Sequence, residues 1–282
     1  ETEVYLFMKD WQNAAYWANE VMTKGNRTLL NNYSDVFKAE NNYSTEYIWS
    51  IPSTPKFNSV GSILPGVMLE NKGWGEYNGW GYFQPTKELY DEYEAGDLRR
   101  SATVLKLGDK FTFNGTERIY ASSNSLTGYQ FNKYMDAFKY PLSSGHVSAN
   151  GDYPCTDLAV PIMRYAEVIL IRAEALLMSG GNADAEINMI RKRAGLAPKT
   201  GCTMADLKHE RRCELAGEWA DRHRDLVRWG DAQSTYAQPL HGIDGKVVWA
   251  ARNFNPATHN VWAVPQAEIV NSHGVIKQNE GW

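Results

Sequence analysis

The sequence predicts an all-α fold of tetratricopeptide-like helical hairpins, with long irregular loops and one small β-hairpin. Three observations predict it. Ile162, Ala166, Ile169, Ala173 and Leu176 recur at helical steps, and so do Ala183, Ile187, Ile190 and Ala194, with Ser179-Gly180-Gly181-Asn182 as the break between them. Small residues (Ala166, Ala173, Ala175, Ala183, Ala185) let two such helices approach closely, and a hairpin of this kind buries its face by stacking on others. Glycine, proline, asparagine and aromatic residues dominate the long stretches outside the periodic segments, which reads as loop.

In chain order, residues 2–24 form a first helix, with Val4, Met8, Trp11, Ala15, Ala18 and Met22 on one stripe. At an offset of 170, Leu6-Phe7-Met8 falls on Leu176-Leu177-Met178, which would make Asp10-Trp11 a turn between two helices. Tyr47–Ile51 is a short buried extended segment before Pro52. Residues 54–84 form a long irregular loop whose aromatic content argues for function rather than disorder. Thr86 caps a short helix carrying Leu89, Tyr90 and Tyr93. Residues 102–120 alternate apolar and polar, with turn signals at Gly108-Asp109 and Asn114-Gly115, and give the β-hairpin. Residues 121–158 are another long connection. The helical core is assigned to 161–230: the hairpin 161–195, then one long helix from Met204 to Trp229. That helix is capped by Thr203 and Asp206 and has Leu207, Arg211, Leu215, Trp219, Arg222, Leu226 and Trp229 facing inward. Inward arginines need carboxylates, because an unpaired buried charge is costly. Glu210, Glu214, Glu218, Asp221 and Asp225 lie within one turn, Glu167 or Glu174 can reach across, and Arg164, Glu167, Arg172 and Glu174 of the hairpin are the expected ion-pair partners of this helix. The tail from Phe254 to Trp282 is expected to wrap the helices.

A net charge of -4 with no block of Lys or Arg argues against nucleic acid or an anionic membrane as the main partner. No apolar run approaches the ~20 residues that span a bilayer. Glu1 already lies inside a helical pattern, so the chain reads as beginning mid-structure. The 3 cysteines (Cys155, Cys202, Cys213) fit neither a metal knuckle nor a disulfide framework and read as buried thiols. The 10 Trp and 16 Tyr are unusual, because several sit in glycine-rich segments where they cannot all be buried. Four glycosylation-type sequons, at Asn26, Asn32, Asn42 and Asn114, otherwise mark polar loops.

Several ordered segments together resemble the SusD/RagB family of nutrient-capturing surface lipoproteins. YLFMKDWQNAAYWANEVM is similar to its helical repeat. Gln84-Pro85-Thr86-Lys87-Glu88-Leu89 with Gly96-Asp97-Leu98-Arg99 resembles its Pro-Thr-x-x-Leu…Asp-x-Arg segment, and Lys133-Tyr134 its Lys-Tyr pair. Pro161-Ile162-x-Arg164-Tyr165-Ala166-Glu167, Glu210-Arg211-Arg212 through Asp225-Leu226-Val227-Arg228-Trp229-Gly230, and the closing Gln278-Asn279…Gly281-Trp282 complete the match. The chain departs from the common pattern in GEWADRHR between Ala216 and Asp225, and in Glu280 where proline is frequent.

The resemblance implies a SusD-like fold of which residues 1–282 are the C-terminal portion, with an N-terminal half outside the chain. It further implies a non-catalytic glycan binder on the cell-surface face of the outer membrane of a Bacteroidota-type bacterium. Attachment would be through an N-terminal lipid anchor outside this chain, and the partner a SusC-like TonB-dependent transporter. Peptide capture within the same family, or a glycoside hydrolase, are the alternatives.

The ligand site is assigned to Trp74, Tyr77, Trp80 and Tyr82, with Asn71, Glu76 and Asn78 as polar neighbours. Aromatic rings stack on the C–H faces of sugars, and the hydroxyls need hydrogen-bonding groups beside them. An alternative role for Trp80, Tyr82 and Phe83 is to pin the loop to the core. Tyr129, Asn132 and Lys133 form a second candidate, for which a structural role is favoured. Glu214, Glu218, Asp221 and Asp225 recur like a glycosidase pair, but arginines one turn away favour ion-pair scaffolding. His209-Glu210 begins a zinc-helix pattern that fails at Cys213. No catalytic residue, metal ligand or cofactor is assigned.

Overall fold

The computed structural model describes residues 1–54, 68, 79–121, 125–141, 146–150, 153–220 and 222–282, of which 148–150, 153 and 154 are described by their backbone. The chain divides into two compact units, Glu1–Ala220 with His241–Lys246, and Asp221–Leu240 with Val247–Trp282.

The first unit opens with α1 (Thr2–Phe7) and α2 (Trp11–Lys24), separated where the offset-170 repeat places a turn rather than continuous through residues 2–24. Lys9 adopts φ 58°, and the N–H of Asp10 bonds the Tyr5 carbonyl at 2.9 Å, which closes α1. Asp10 then caps α2 by accepting from the Asn13 N–H at 3.1 Å. β1 (Tyr47–Ile51) is extended as expected but only partly buried, since Trp49 and Ile51 face outward. Two short helices follow, α3 (Lys87–Tyr90) and α4 (Leu98–Thr103).

The β content exceeds the single hairpin expected. Among the described residues there are five two-stranded sheets. β2 (Val104–Lys106) pairs with β5 (Tyr129–Phe131), and β3 (Lys110–Phe113) with β4 (Thr116–Ile119). The β3–β4 turn is Asn114-Gly115 with φ 50° and 76°, the tight turn its sequence signals. β6 (Val147–Asn150) pairs with β7 (Tyr153–Thr156), so 121–158 is not a plain connection.

β8 (Val160–Arg164) pairs antiparallel with β1, so the central hairpin starts later than its periodicity suggests. Pro161 has no N–H for a helix interior, and Val160 and Ile162 fit a pleated surface. Only at Tyr165 does α5 (Tyr165–Met178) begin. Its residues are buried almost all round, the pattern of a helix enclosed on several sides. Tyr165, Ala166, Ile169, Leu170 and Ala173 meet Ala183, Ile187 and Ile190 of α6 (Asp184–Arg193) and Leu207 and Leu215 of α7 (Met204–Leu215). On its other side, Ile171 and Ala175 pack with Leu6 and Ala14 of α1 and α2. At the α5–α6 turn, Gly180 takes φ 75°, and Gly181 N–H bonds the Leu176 carbonyl at 2.8 Å. The same closure ends α1 at Lys9 and Asp10, so the two hairpins share one cap.

The helix that begins at Met204 has the Thr203–Asp206 capping box but does not reach Trp229. It stops at Leu215 because distant side chains take the carbonyls that would continue it. Tyr33 Oη and Arg164 Nη2 donate to the Glu214 carbonyl, Lys133 Nζ to that of Ala216, and Tyr134 Oη to that of Gly217. Gly217, at φ 76°, faces the Phe131 ring so closely that a Cβ would lie 2.7 Å from it. Trp219, assigned to the inner face, is 56% exposed.

In the second unit, α8 (Arg222–Trp229), α9 (Ala232–Tyr236), α10 (Pro256–His259) and α11 (Gln266–Asn271) are short. The tail contributes Phe254 to a small core with Leu226 and Ala232. No helix among the described residues is long and apolar enough to cross a membrane.

Candidate functional site

Of the seven assigned ligand residues, Asn71, Trp74, Glu76, Tyr77 and Asn78 lie outside the described residues. Trp80 and Tyr82 lie within them, on an extended segment leading into α3. Gly81 between them adopts φ 61°, which lets the chain turn so that both rings project from adjacent positions. The ring centroids are 5.6 Å apart with planes inclined at 41°. Trp80 is 38% exposed, Tyr82 72% and Phe83 52%, so none of the three rings is buried in the core.

Gln84 fastens the segment instead. Its Nε2 donates to the Gly81 carbonyl at 3.1 Å, and its Oε1 accepts from the Leu126 N–H at 3.0 Å. Ser125 and Thr127 continue the clamp: the Ser125 hydroxyl accepts from Gly128 N–H at 3.0 Å and donates to the Tyr129 carbonyl at 3.0 Å. The exposed Leu126 extends the apolar surface. Aromatic rings held by a backbone clamp present contact area with little rotamer entropy to lose on binding.

The second candidate set is structural. Tyr129 is buried and stacked on Tyr90, with centroids 5.1 Å apart. Asn132 donates to the Ser101 carbonyl at 3.0 Å. Lys133 is buried beneath Glu218 at 2.7 Å, and burial draws its ammonium down to about 8 despite that partner.

Lys133 belongs to the dominant electrostatic feature, a buried ion-pair network. Arg164 bonds Glu46 at 2.8 Å, Glu214 at 2.7 Å and Glu218 at 2.6 Å. Arg193 bonds Glu46 at 2.7 Å and also Glu214, and Arg99 bonds Asp97 at 2.7 Å and Glu210 at 2.8 Å. The ring of Tyr33 lies 5.8 Å from the Arg164 guanidinium, 5.5 Å from that of Arg193 and 5.2 Å from the Lys133 ammonium. Burial opposes ionisation of Glu214, yet Arg193, Arg164 and Arg99 together hold it at about 2. Glu218 is likewise lowered, against burial, by Arg164 and Lys133. Glu214 is thus tied into ion pairs with buried arginines and Glu218 with Arg164 and Lys133, the ion-pair scaffolding that the neighbouring arginines suggest. Of the other expected partners, Glu167 meets Arg211 at 2.9 Å, whereas Arg172 pairs with Glu186 of α6 rather than with the following helix.

Glu94, His209 and Glu210 bring potential metal-ligand atoms within 4.8 Å of one another. The Arg191 guanidinium already bridges Glu94 and Glu210, and His209 Nδ1 meets Glu92 at 2.8 Å, so fixed cations occupy this cluster. The three cysteines are buried thiols.

What sequence reasoning missed is a second exposed aromatic cluster, in the second unit. His223, Tyr236, Arg252, His259, Trp262 and Trp282 line a cleft of about 320 Å3 floored by Phe254. A signal was present in the histidines and tryptophans of residues 223–282, but they share no ligand-like spacing.

Network and platform both fall within the span of residues 15–282, which match the SusD family. The starch-binding protein SusD of Bacteroides thetaiotaomicron is 25% identical, over 99% of this chain and 57% of that protein. A solved SusD-like protein of Bacteroides fragilis superposes with a TM-score of 0.82 at 24% identity, covering 100% of this chain and 64% of that one. A structure described as a laminarin-binding SusD-like protein gives a TM-score of 0.73 at 26% identity, over 100% of this chain and 61% of that one. The chain spans 44 to 57% of the length of the curated relatives it matches. Asp97-Leu98-Arg99, Lys133-Tyr134, Arg164 and Glu210–Glu218 carried the resemblance, and the fold gathers them into one buried network. The chain is a member of the SusD family.

Proposed function

We propose that the chain serves as a non-catalytic glycan-binding protein whose recognition element is the aromatic loop 54–84. The single observation that carries this is the exposed Trp80–Tyr82 pair, held in place by Gln84 rather than by burial. Trp74 and Tyr77 would extend the platform, with Asn71, Glu76 and Asn78 meeting sugar hydroxyls. Two of the relatives are described as binding starch and laminarin, which makes glucans the first ligands to try. Family membership supports a lipid-anchored place on the outer-membrane surface, beside a SusC-like TonB-dependent transporter that imports the captured glycan. The stacked pairs α1–α2 and α5–α6, with their shared cap, support reading the scaffold as tetratricopeptide-like. Glu214 and Glu218 remain scaffold in this reading, so glycans are held and not cleaved.

The test is affinity electrophoresis of the 282-residue chain through gels containing starch or laminarin. Retardation by either polysaccharide, with no release of reducing ends, is the expected result. Unretarded migration through both, or reducing-end release at high protein concentration, would overturn it.

A further inference from the structure

The cleft of the second unit is built like a binding site and has no role in the reading above. Its floor is the buried Phe254, whose ring stacks on Tyr236 with centroids 5.7 Å apart at 29°. Its wall includes Trp262, 83% exposed, and Trp282, 51% exposed. Exposed tryptophans on a loose tail would lose much rotamer freedom on binding, but the backbone here is tied down. Asn279 Nδ2 donates to the Trp262 carbonyl at 2.6 Å, and Trp282 Nε1 donates to the Val261 carbonyl at 3.0 Å. The rings are therefore presented by a fixed frame.

Among the described side chains that line the cleft, Arg252 carries the fixed charge. The Arg252 guanidinium lies 4.6 Å over the Tyr236 ring, and the Arg252 N–H donates to the Tyr236 carbonyl at 2.7 Å. Stacking fixes the plane of the guanidinium and leaves its edge donors pointing outward. No carboxylate pairs with it among the described residues. His259 accepts the Asn255 N–H at Nδ1, at 3.0 Å, which places its own proton on Nε2 as a further donor. His223 lies against Tyr236, with Nδ1 2.8 Å from the phenolic oxygen. Among the described residues no aspartate or glutamate lines the cleft, although the chain as a whole is acidic at -4. A guanidinium with no aspartate or glutamate beside it in the described lining favours a negatively charged partner, and its edge matches a carboxylate or sulfate oxygen pair. The cavity of about 320 Å3 falls at the small end of ligand pockets, which run from roughly 300 Å3 upward.

We propose that this cleft is a second glycan site, selective for a saccharide bearing a carboxylate or sulfate group. The sugar face would stack on Trp262, the anionic group would meet Arg252, and the ring hydroxyls would meet His259 and Asn253. That the partner is a saccharide rests on the glycan-binding reading; its negative charge rests on the cleft alone.

The experiment titrates the 282-residue chain with an oligogalacturonate, its neutral methyl ester and a sulfated galactan oligosaccharide, following tryptophan fluorescence and heat. Arg252→Gln and Trp262→Ala alter exposed side chains, so the fold is expected to survive both, which thermal unfolding verifies. The expected result is binding of one or both anionic oligosaccharides, weakened at least tenfold by either substitution and at least tenfold for the methyl ester relative to the acid. Binding by the uronate alone, or by the sulfated oligosaccharide alone, identifies which anion the cleft prefers. The double variant Trp80→Ala/Tyr82→Ala separates the two sites and should leave anion binding intact. Loss of anionic-glycan binding only in that double variant would place the ligand on the loop and overturn the proposal. It would also be overturned if neither anionic oligosaccharide binds, or if Arg252→Gln binds both as tightly as the parent.

Discussion

Arg164 grips both oxygens of the Glu218 carboxylate, through Nε at 2.6 Å and Nη2 at 2.7 Å, with both side chains buried. This fork joins the β8–α5 junction to the segment after α7, two places 54 residues apart in sequence. It explains why α7 ends where it does: the irregular backbone after Leu215 is where Glu218 can meet Arg164, and where Lys133 and Tyr134 can bond the freed carbonyls.

Substituting Arg164 therefore removes more than one ion pair. Arg164→Met should destabilise the chain by about 3–5 kcal/mol, the range for breaking a buried pair while its carboxylates stay buried. Arg164→Lys should recover only part of this, because an ammonium cannot make the bidentate contact. Urea unfolding followed by circular dichroism checks both. A midpoint for Arg164→Met within error of the parent would contradict the structural role given to the network.

Glu214 makes the network pH-dependent in a defined direction. Its folded value of about 2 lies below the ordinary 4.5, so the folded state holds its proton less readily than the unfolded state. Its stabilisation is complete above pH 4.5 and is lost as the pH falls towards 2. Glu214→Gln should lower the melting temperature most at neutral pH, and the gap from the parent should narrow below pH 4.5. A gap that stays constant down to the most acid pH tolerated would refute this assignment.

Gly217 and Gly180 form a matched pair of tests. Both have positive φ, at 76° and 75°, but a Cβ at Gly217 would lie 2.7 Å from Phe131, while Gly180 has open space. Gly180→Ala should lose about 1–2 kcal/mol from the left-handed backbone alone. Gly217→Ala should lose about 1–3 kcal/mol more, from overlap with the Phe131 ring. Equal losses at the two positions would mean that the Phe131 contact has no energetic weight.

Local chemistry was readable and long-range chemistry was not. The Gly180 turn, the Thr203–Asp206 box and the Asn114-Gly115 hairpin each depend on residues a few positions apart, and the structure has all three. The end of α7 depends on Tyr33, Phe131, Lys133, Tyr134 and Arg164, none of which its own periodicity can reveal. β8 was hidden because Ile162 continues the helical spacing of α5, while its pairing partner lies in β1, more than 100 residues earlier. Glu167 could be anticipated as the partner of Arg211, an unpaired arginine on an apolar stripe. Arg172 was expected against the long helix and pairs instead with Glu186, which the turn between α5 and α6 brings beside it. Within the aromatic loop, residue type identified Trp80 and Tyr82 as candidates, but only the Gln84 clamp accounts for their exposure. The aromatic cleft of the second unit escaped notice because its residues come together by folding and not by spacing.

The central claim is that Trp80 and Tyr82 hold a sugar, and calorimetric titration tests it most directly. The intact chain and the Trp80→Ala/Tyr82→Ala variant would each be titrated with laminarihexaose and maltohexaose. Stacked anchors of this kind contribute about 1–3 kcal/mol each, so the double variant should bind its preferred hexaose at least tenfold more weakly. Its melting temperature should be unchanged, because both rings are exposed. The account is contradicted if the parent binds neither hexaose, or if the double variant binds the preferred one with the parent's affinity.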